Sequence, residues 1–175
     1  DLGCGDGSLL SQLEKTKDVN GVGLEIDPEK IIACLENNIS VVHKDIDTEL
    51  DSFKTKAFDY VILNHTLQQV KNPQKVLSEM LRIGKYGILG FPNYAYYKIR
   101  LFLMWQGKMP HTTTLPFEWY ETPNIHLHTL NDFYQFCDER NIQIHDKVFF
   151  NLNKRIKYLP SFRCEFAGLI LSTCQ

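Results

Sequence analysis

The chain opens on the stretch Asp1-Leu2-Gly3-Cys4-Gly5-Asp6-Gly7, which decides the fold. Glycine at alternate positions lets a backbone turn sharply and lets a ligand approach without meeting a Cβ atom. The residues from Ser8 onward have apolar side chains at helical spacing, so the loop leads into a helix. Because a buried strand launches a loop of this kind, we expect residues upstream of Asp1 to be missing and the first strand to be truncated.

The loop does not match two common phosphate-binding patterns. Counted from Gly3, the dinucleotide fingerprint G-x-G-x-x-G/A places Ser8 at its last position, and no Lys-Ser or Lys-Thr pair completes a Walker loop. A nicotinamide oxidoreductase is therefore disfavoured. A glycine loop behind an acid suits a ligand with a charged amino group, with which the carboxylate of Asp1 can pair.

Two more acids follow predicted strands. Glu25 lies at the end of the predicted strand within residues 22–26, and Asp45 comes just after the predicted strand 39–43. A carboxylate at the distance of Glu25 from the glycine loop can accept hydrogen bonds from both ribose hydroxyls. Asp45 can accept from an adenine amino group while Ile46 packs against the ring. The three strand ends together predict a nucleoside site, although each motif alone is a weak signal.

Strands alternate with helices along the chain, which predicts an α/β fold with a mostly parallel sheet and helices on both faces. The apolar runs 142–150 and 166–172 predict a closing antiparallel pair. Residues 93–129 break the pattern and are rich in aromatic side chains, prolines and histidines, so we expect an ordered insertion that acts as a substrate lid. We expect residues 1–175 to form one domain.

Composition excludes several classes of protein. The formal net charge is -2, and the short basic run 154–157 is predicted to be a solvated turn, so nucleic acid is not an expected partner. No apolar run is long enough to span a membrane, and no Cys/His cluster has the spacing of metal ligands. The cysteines lack CxxC spacing and are expected to be free thiols of a cytoplasmic protein; they are Cys4, Cys34, Cys137, Cys164 and Cys174.

The motifs at 1–7, 23–27 and 45 resemble those of class I S-adenosylmethionine (SAM) methyltransferases. A narrower likeness is carried by Phe91-Pro92-Asn93, by residues 107–110 and by the segment 115–126, which closely resemble the MetW family of methionine biosynthesis. The resemblance implies a Rossmann-like methyltransferase sheet that binds SAM or S-adenosylhomocysteine. The residues expected to bind this cofactor are Asp1, Gly3, Gly5, Gly7, Glu25, Ile26, Asp45, Ile46 and Asn64.

The resemblance also implies a partner, because the family acts with a homoserine O-acyltransferase. Members look like methyltransferases, but the likeness supplies no methyl acceptor. Two functions stay open: an accessory or regulatory subunit that binds SAM, and an active methyltransferase on a small-molecule acceptor. No base is evident, and the weak candidates for catalysis are His65, Glu118, Tyr120 and His126. His65 is also interpreted as a site-lining hydrogen-bonding group, and His126 with His128 as residues that staple a loop.

Overall fold

The structure, a computed structural model, describes residues 1–112, 114–152 and 154–173. The chain divides into two compact units. The first comprises Asp1–Thr66 and Val70–Ile88, and the second comprises Leu67–Gln69 and the chain from Leu89 onward.

The first unit is built on short parallel strands. Strand β1 (Gly23–Glu25) pairs in parallel with β2 (Val41–His43), which brings Glu25 opposite His43. On the other side of β1, Leu2 forms a parallel bridge with Leu24, and its N–H donates to the carbonyl oxygen of Ile62 in β3 (Phe58–Asn64) over 2.8 Å. The carboxyl ends of β1, β2 and β3 and the glycine loop therefore meet at one edge of the sheet.

Local sequence explains where the helices of this unit begin. Helix α2 (Pro28–Glu36) follows Asp27, whose side chain accepts from the N–H of Glu29, and α3 (Pro73–Ile83) follows Asn72, which caps it through Lys75. Proline at the first helical position loses no needed donor. Helix α1 is Ser8–Thr16, and a short 3-10 helix is Leu50–Ser52. The face of α3 that packs inward consists of Val76, Leu77, Met80, Leu81 and Ile83.

Strand β4 (Gly84–Pro92) neighbours β3 and continues into the second unit. There the strand order is β4-β7-β5-β6, with β5 at Ile142–Asn151, β6 at Lys154–Arg155 and β7 at Phe166–Thr173. Strands β5 and β7 pair antiparallel, which confirms the predicted closing pair. The helices of this unit are α4 (Tyr97–Gln106), α5 (Leu130–Glu139) and α6 (Pro160–Arg163).

Asn93 organises the second unit from a fully buried position. Its Nδ2 donates to the carbonyl oxygens of Ser161 and Cys164, each over 3.0 Å. Its Oδ1 accepts from the N–H groups of Ala95 and Leu130. All the hydrogen-bonding capacity of a buried amide is used, so this one side chain holds three separate segments together.

The basic run 154–157 and the cysteines can now be compared with what the sequence predicted. The predicted turn at 154–157 is wrong for Lys154 and Arg155, which form β6 against the end of β5, although both are exposed as expected. Four cysteines are free and buried, while Cys174, the fifth predicted free thiol, lies outside the described residues. Within the described part of the chain, no helix has the length and apolar character needed to cross a membrane.

Candidate functional site

The glycine loop owes its shape to three positive φ angles. Gly3, Gly5 and Gly7 have φ values of 71°, 60° and 75°, a region that residues with a Cβ rarely occupy. The loop then enters α1, whose N-cap is Gly7. The alternation of glycines seen in the sequence is therefore required by the backbone itself.

The space in front of the three glycines differs. A Cβ at Gly3 would lie 2.8 Å from Cγ2 of Thr66, and one at Gly7 would lie 3.1 Å from Sγ of Cys34. A Cβ at Gly5 would meet nothing within 4 Å. Gly3 and Gly7 are thus packed against the protein, while Gly5 faces open space where a ligand can approach the backbone.

The carboxylate of Glu25 ties the glycine loop to the end of β1. Its Oε2 accepts from the N–H of Gly5 over 2.8 Å, and its Oε1 accepts from the N–H groups of Ile26 and Asp27 over 2.9 and 3.0 Å. The residue is buried. A carboxylate offers about four acceptor directions, so three are used within the protein and one remains for a ligand hydroxyl.

Asp1 begins the loop, and its backbone nitrogen donates to the carbonyl oxygen of Val22 over 2.9 Å. Its Oδ1 is buried and has no hydrogen-bond partner among the described residues. A buried carboxylate oxygen without a donor is costly in a folded protein. A cationic or hydrogen-bonding ligand group at this position would remove that cost.

The next predicted residues lie along the same edge. Asp45 follows β2, and its Oδ1 accepts from the N–H of Asp47 over 2.9 Å, which shapes the turn after the strand. Ile46 is half-buried. Ile26 is 56% exposed directly after Glu25, although it is a large apolar side chain. The structure brings Glu25, Ile26 and Asp45 onto adjacent strand ends, because the register of β1 against β2 places Lys44 N–H on the carbonyl oxygen of Glu25.

The end of β3 carries Asn64 and His65. Asn64 is half-buried, and its carbonyl oxygen accepts from the hydroxyl of Thr66 over 3.0 Å. His65 has a positive φ of 56°, which is uncommon for a residue with a side chain and often marks a functional turn. Desolvation by neighbouring atoms lowers the pKa of the His65 imidazole and so favours its neutral form, although the residue is exposed.

The remaining catalytic candidates belong to the second unit. Glu118 is exposed and pairs with His111 over 3.1 Å, and the ring of Tyr120 is exposed beside that of Trp119. His126 is held by its backbone N–H, which donates to the carbonyl oxygen of Gln68 over 3.0 Å.

His128, next to His126 in the alternating pair, has a ring 4.8 Å from that of Phe91, and burial lowers the pKa of its imidazole to about 4. The Nε2 atoms of His126 and His128 are buried without a partner among the described residues.

A cavity of about 600 Å³ lies at the other end of the strands of the first unit. It is lined by Leu10, Val22 and Leu24 on one side and by Tyr60 and Ile62 of β3 on the other. Its lining is mainly apolar and includes Asp1 of the glycine loop but leaves out Gly5, Glu25 and Asp45, so it is not the site predicted from the three strand ends. Across the described ranges, no three His, Cys, Asp or Glu side chains are grouped as metal ligands.

Two features of the site were not predicted from the sequence. The thiols of Cys4 and Cys34 lie 3.7 Å apart behind the loop, and Cys34 Sγ donates to the carbonyl oxygen of Gly5 over 3.1 Å. Burial raises the pKa of the Cys4 thiol to about 12, so both groups behave as small packed side chains. Thr66 closes the space over Gly3. Only the tertiary fold brings Cys34 and Thr66 to the loop.

A sequence profile of the family described as methionine biosynthesis protein MetW matches residues 1–171. The chain belongs to the MetW family. A bifunctional methionine biosynthesis protein MetXA/MetW of Rhodopirellula baltica is 34% identical over 169 residues, which are 91% of this chain and 27% of that protein. The family predicted from the segments 91–93, 107–110 and 115–126 is therefore confirmed.

A second relative of this MetW-family chain is an ajmaline N-methyltransferase of Rauvolfia serpentina, 29% identical over 93 residues. That match covers 50% of the chain and 32% of the enzyme. The chain thus spans less than a third of the length of either curated relative.

Solved structures show the fold of the MetW-family chain. A SAM-dependent methyltransferase of Thermotoga maritima aligns with a TM-score of 0.69 at 14% identity, over 99% of this chain and 80% of the other. One from Archaeoglobus fulgidus aligns with a TM-score of 0.66 at 17% identity, over 98% and 83%. The predicted methyltransferase-like α/β fold is confirmed. The [4+2]-cyclase SpnF also aligns, with a TM-score of 0.66 at 11% identity over 99% and 74%, so the fold alone does not identify a reaction.

Proposed function

We propose that this MetW-family protein binds SAM or S-adenosylhomocysteine at the edge formed by the glycine loop and the ends of β1, β2 and β3. Asp1 and the backbone of Gly3, Gly5 and Gly7 hold the amino-acid part of the ligand. Glu25 accepts from the ribose, with Asp45, Ile46 and Ile26 around the adenine. Asn64 lies beside the methionine portion. SAM, when bound, supplies an electrophilic methyl group on a sulfonium.

Two observations support this assignment. The unpartnered buried Oδ1 of Asp1 is an acceptor that a ligand ammonium would satisfy. Gly5 leaves the backbone uncovered, because a Cβ there would meet nothing within 4 Å. A neutral apolar ligand would leave the Oδ1 of Asp1 without a donor.

We propose further that the protein is an accessory or regulatory subunit of a homoserine O-acyltransferase in cytoplasmic methionine biosynthesis. The observation that carries this proposal is the Rhodopirellula baltica relative, which joins a MetXA part and a MetW part in one chain. Fusion of two parts favours a physical or functional partnership where they occur as separate chains. SAM contains a methionine unit, so its binding would report the state of the pathway to the acyltransferase.

An active methyltransferase is the second candidate. The likeness to an N-methyltransferase over half of the chain favours it, as does the left-handed backbone at His65 directly after β3. A neutral imidazole there is able to accept a proton from an acceptor amine or hydroxyl. In this function the insertion 93–129 of the single domain acts as the substrate lid, and Glu118, Tyr120 and His126 are available to contact the acceptor.

One set of measurements separates these functions. Calorimetry with SAM and with S-adenosylhomocysteine on the full-length protein tests the cofactor, and absence of binding to both ligands refutes the proposed site. Acyltransferase activity is then measured with and without the protein and with and without SAM. A changed rate supports the accessory role. An unchanged rate together with label transfer from methyl-labelled SAM into an extract supports the methyltransferase.

A further inference from the structure

Helix α4 exposes apolar side chains around most of its circumference in its second half. Phe102, Leu103, Met104 and Trp105 are all exposed, with Met104 at 67% and Trp105 at 71%. Four consecutive residues on a helix cover roughly 300° of its circumference, because each adds about 100°. A helix on a protein surface normally buries one apolar stripe and exposes a polar one, which this half of α4 does not do.

The first half of the same helix is anchored. Ile99 is buried and clusters with Tyr96 and Leu115 of the same unit. Arg100 donates from Nε to the carbonyl oxygen of Ala95 over 2.6 Å. The helix ends at Gly107, whose φ is 62° and in front of which a Cβ would meet nothing within 4 Å. The second half of α4 therefore projects from a fixed base.

We define the apolar tip as Phe102–Trp105 together with Met109, which is also exposed. Side chains of this size expose on the order of 500 Å² in total, since large aromatic groups account for roughly 150–250 Å² each. The largest apolar patch on a monomer measures roughly 300–600 Å² and is often functional, and one partner's share of a standard interface is about 800 Å². Trp and Met are also among the residues enriched at such interfaces.

Charge around the tip is one-sided. The sequence has no Asp or Glu between Tyr94 and Phe117, whereas Lys98 and Lys108 flank the tip and are exposed. The whole chain nevertheless carries a formal net charge of -2. A basic rim on an acidic protein favours a partner surface whose apolar groove is bordered by acidic side chains.

We propose that the apolar tip of α4 is the surface on which the protein docks onto its homoserine O-acyltransferase, with Trp105 and Met104 inserted into an apolar groove that has an acidic border. This inference rests on the accessory role proposed above. The fused MetXA/MetW relative favours the acyltransferase as the occupant over a second copy of this chain or a lipid surface. The mode is that of a helix laid into a groove.

The test uses the full-length protein and the separately purified acyltransferase, with binding measured by calorimetry or interferometry. The variant Met104→Ser/Trp105→Ser is expected to weaken binding at least about tenfold, as truncation of a central aromatic anchor does. The matched control is Ile32→Ser/Leu35→Ser on α2, where the two side chains are 57% and 60% exposed. That control is expected to bind as the wild type does.

The charge argument has its own variant. Lys98→Glu/Lys108→Glu is expected to slow association several-fold at low salt, with the difference shrinking as salt rises, because rim charges act mainly on the association rate. Equal rates for this variant and the wild type at low salt would contradict the acidic border.

Failure of the two proposals can be told apart. If the wild type does not bind the acyltransferase at all, the accessory role fails. If the wild type binds and the Met104→Ser/Trp105→Ser variant binds equally tightly, the docking surface is elsewhere. If sedimentation shows that the wild type is a dimer and that the Met104→Ser/Trp105→Ser variant is a monomer, a second copy of this chain, and not the acyltransferase, occupies the apolar tip. Tip-dependent flotation with vesicles of phosphatidylglycerol and phosphatidylcholine overturns it in favour of a membrane surface.

Discussion

The N–H of Gly5 donates to Oε2 of Glu25 over 2.8 Å, which fastens the middle of the glycine loop to the end of β1. The same carboxylate accepts from Ile26 and Asp27 through its other oxygen. Glu25 is therefore a structural support of the loop as well as the proposed ribose ligand. Binding and stability are coupled at this residue, and mutants must be examined for both.

We expect Glu25→Ala to lower the free energy of unfolding by about 3 kcal/mol, because three backbone N–H groups lose a charged acceptor in a buried site. The free energy of unfolding of Glu25→Gln should lie between those of the wild type and Glu25→Ala. The amide oxygen can still accept from the N–H groups of Ile26 and Asp27, but the NH₂ group faces the N–H of Gly5 and cannot accept from it. Chemical denaturation measures this. The exposed residue Glu36 supplies a control, and Glu36→Ala should change stability by less than about 0.5 kcal/mol. Equal stability of Glu25→Ala and Glu36→Ala would contradict the role of Glu25 as a structural support of the glycine loop.

We expect substitutions of Gly5 and Gly3 to affect stability and SAM binding differently. Gly5→Ala should cost about 1 kcal/mol from its left-handed backbone yet abolish measurable SAM binding, because its new methyl group occupies the open space above the loop. Gly3→Ala should cost roughly 2 kcal/mol more, since its methyl group meets Cγ2 of Thr66 at 2.8 Å. Thermal unfolding and calorimetry on the same samples give both quantities.

A double variant checks the cause of that difference. Thr66→Ala removes the atoms nearest to the added methyl group, so Gly3→Ala/Thr66→Ala should recover part of the stability lost in Gly3→Ala. No recovery would mean that backbone strain, and not the contact with Thr66, makes Gly3 necessary.

We expect substitution of Asn93 to lower the free energy of unfolding strongly, although Asn93 is not among the proposed ligand-binding residues. Asn93→Ala leaves the N–H groups of Ala95 and Leu130 and the carbonyl of Cys164 without their partner, so we expect a loss of about 3 kcal/mol. Urea denaturation measures it. The exposed residue Asn20 provides the control, and Asn20→Ala should stay within about 0.5 kcal/mol of the wild type.

Asn93→Asp tests the direction of the hydrogen bonds at the same place. A protonated carboxyl can still donate to one carbonyl, but a carboxylate faces the carbonyl oxygens of Ser161 and Cys164 with no donor. The penalty relative to the wild type should therefore grow as pH rises from 4 to 8. A penalty independent of pH would show that the site admits water.

We expect His128 to cause part of the loss of folding stability at low pH. Burial lowers the pKa of its imidazole from 6.5 to about 4, so between these values the unfolded chain binds a proton that the folded chain does not. Stability attributable to His128 is complete above pH 6.5 and is lost progressively as pH falls towards 4. The loss is on the order of 3 kcal/mol.

The comparison of variants isolates this group from the carboxylates that titrate in the same range. His128→Phe keeps an aromatic ring against Phe91 and should flatten the stability profile between pH 6.5 and 4. Tyr94→Phe removes the hydroxyl of a residue that does not titrate in this range, because burial raises the pKa of Tyr94 to about 12. That variant should keep the slope of the wild type, and a slope equally steep in His128→Phe would assign the acid sensitivity to other groups.

Much of the first unit could be predicted locally. The alternation of strands and helices, the glycine loop and the cap at Asp27-Pro28 depend on residue type and short spacing, which determine backbone preference directly. Glu25 and Asp45 could be placed at one sheet edge because parallel strands end on the same side. The closing antiparallel pair followed from two apolar runs.

Other features depend on contacts between residues far apart in sequence. The amide of Asn93 reaches Ser161 and Cys164, about 70 positions away along the chain, and nothing near Asn93 indicates those partners. The exposure of Trp105 could not be predicted either, because an apolar helix of this composition is equally suited to a core. Whether such a helix is covered depends on what the rest of the fold places over it.

The sequence by itself determined the family, the α/β fold and the residue types at the glycine loop, because these rest on local backbone requirements and on the pattern of strand ends. The tertiary structure decided which of those residues both support the fold and belong to the proposed binding site. Glu25 accepts from the N–H of Gly5 because β1 and the loop are neighbours in space. The apolar tip of α4 is exposed because no described residue of the second unit covers it. Side-chain partners and burial arise from packing, which a linear pattern does not contain.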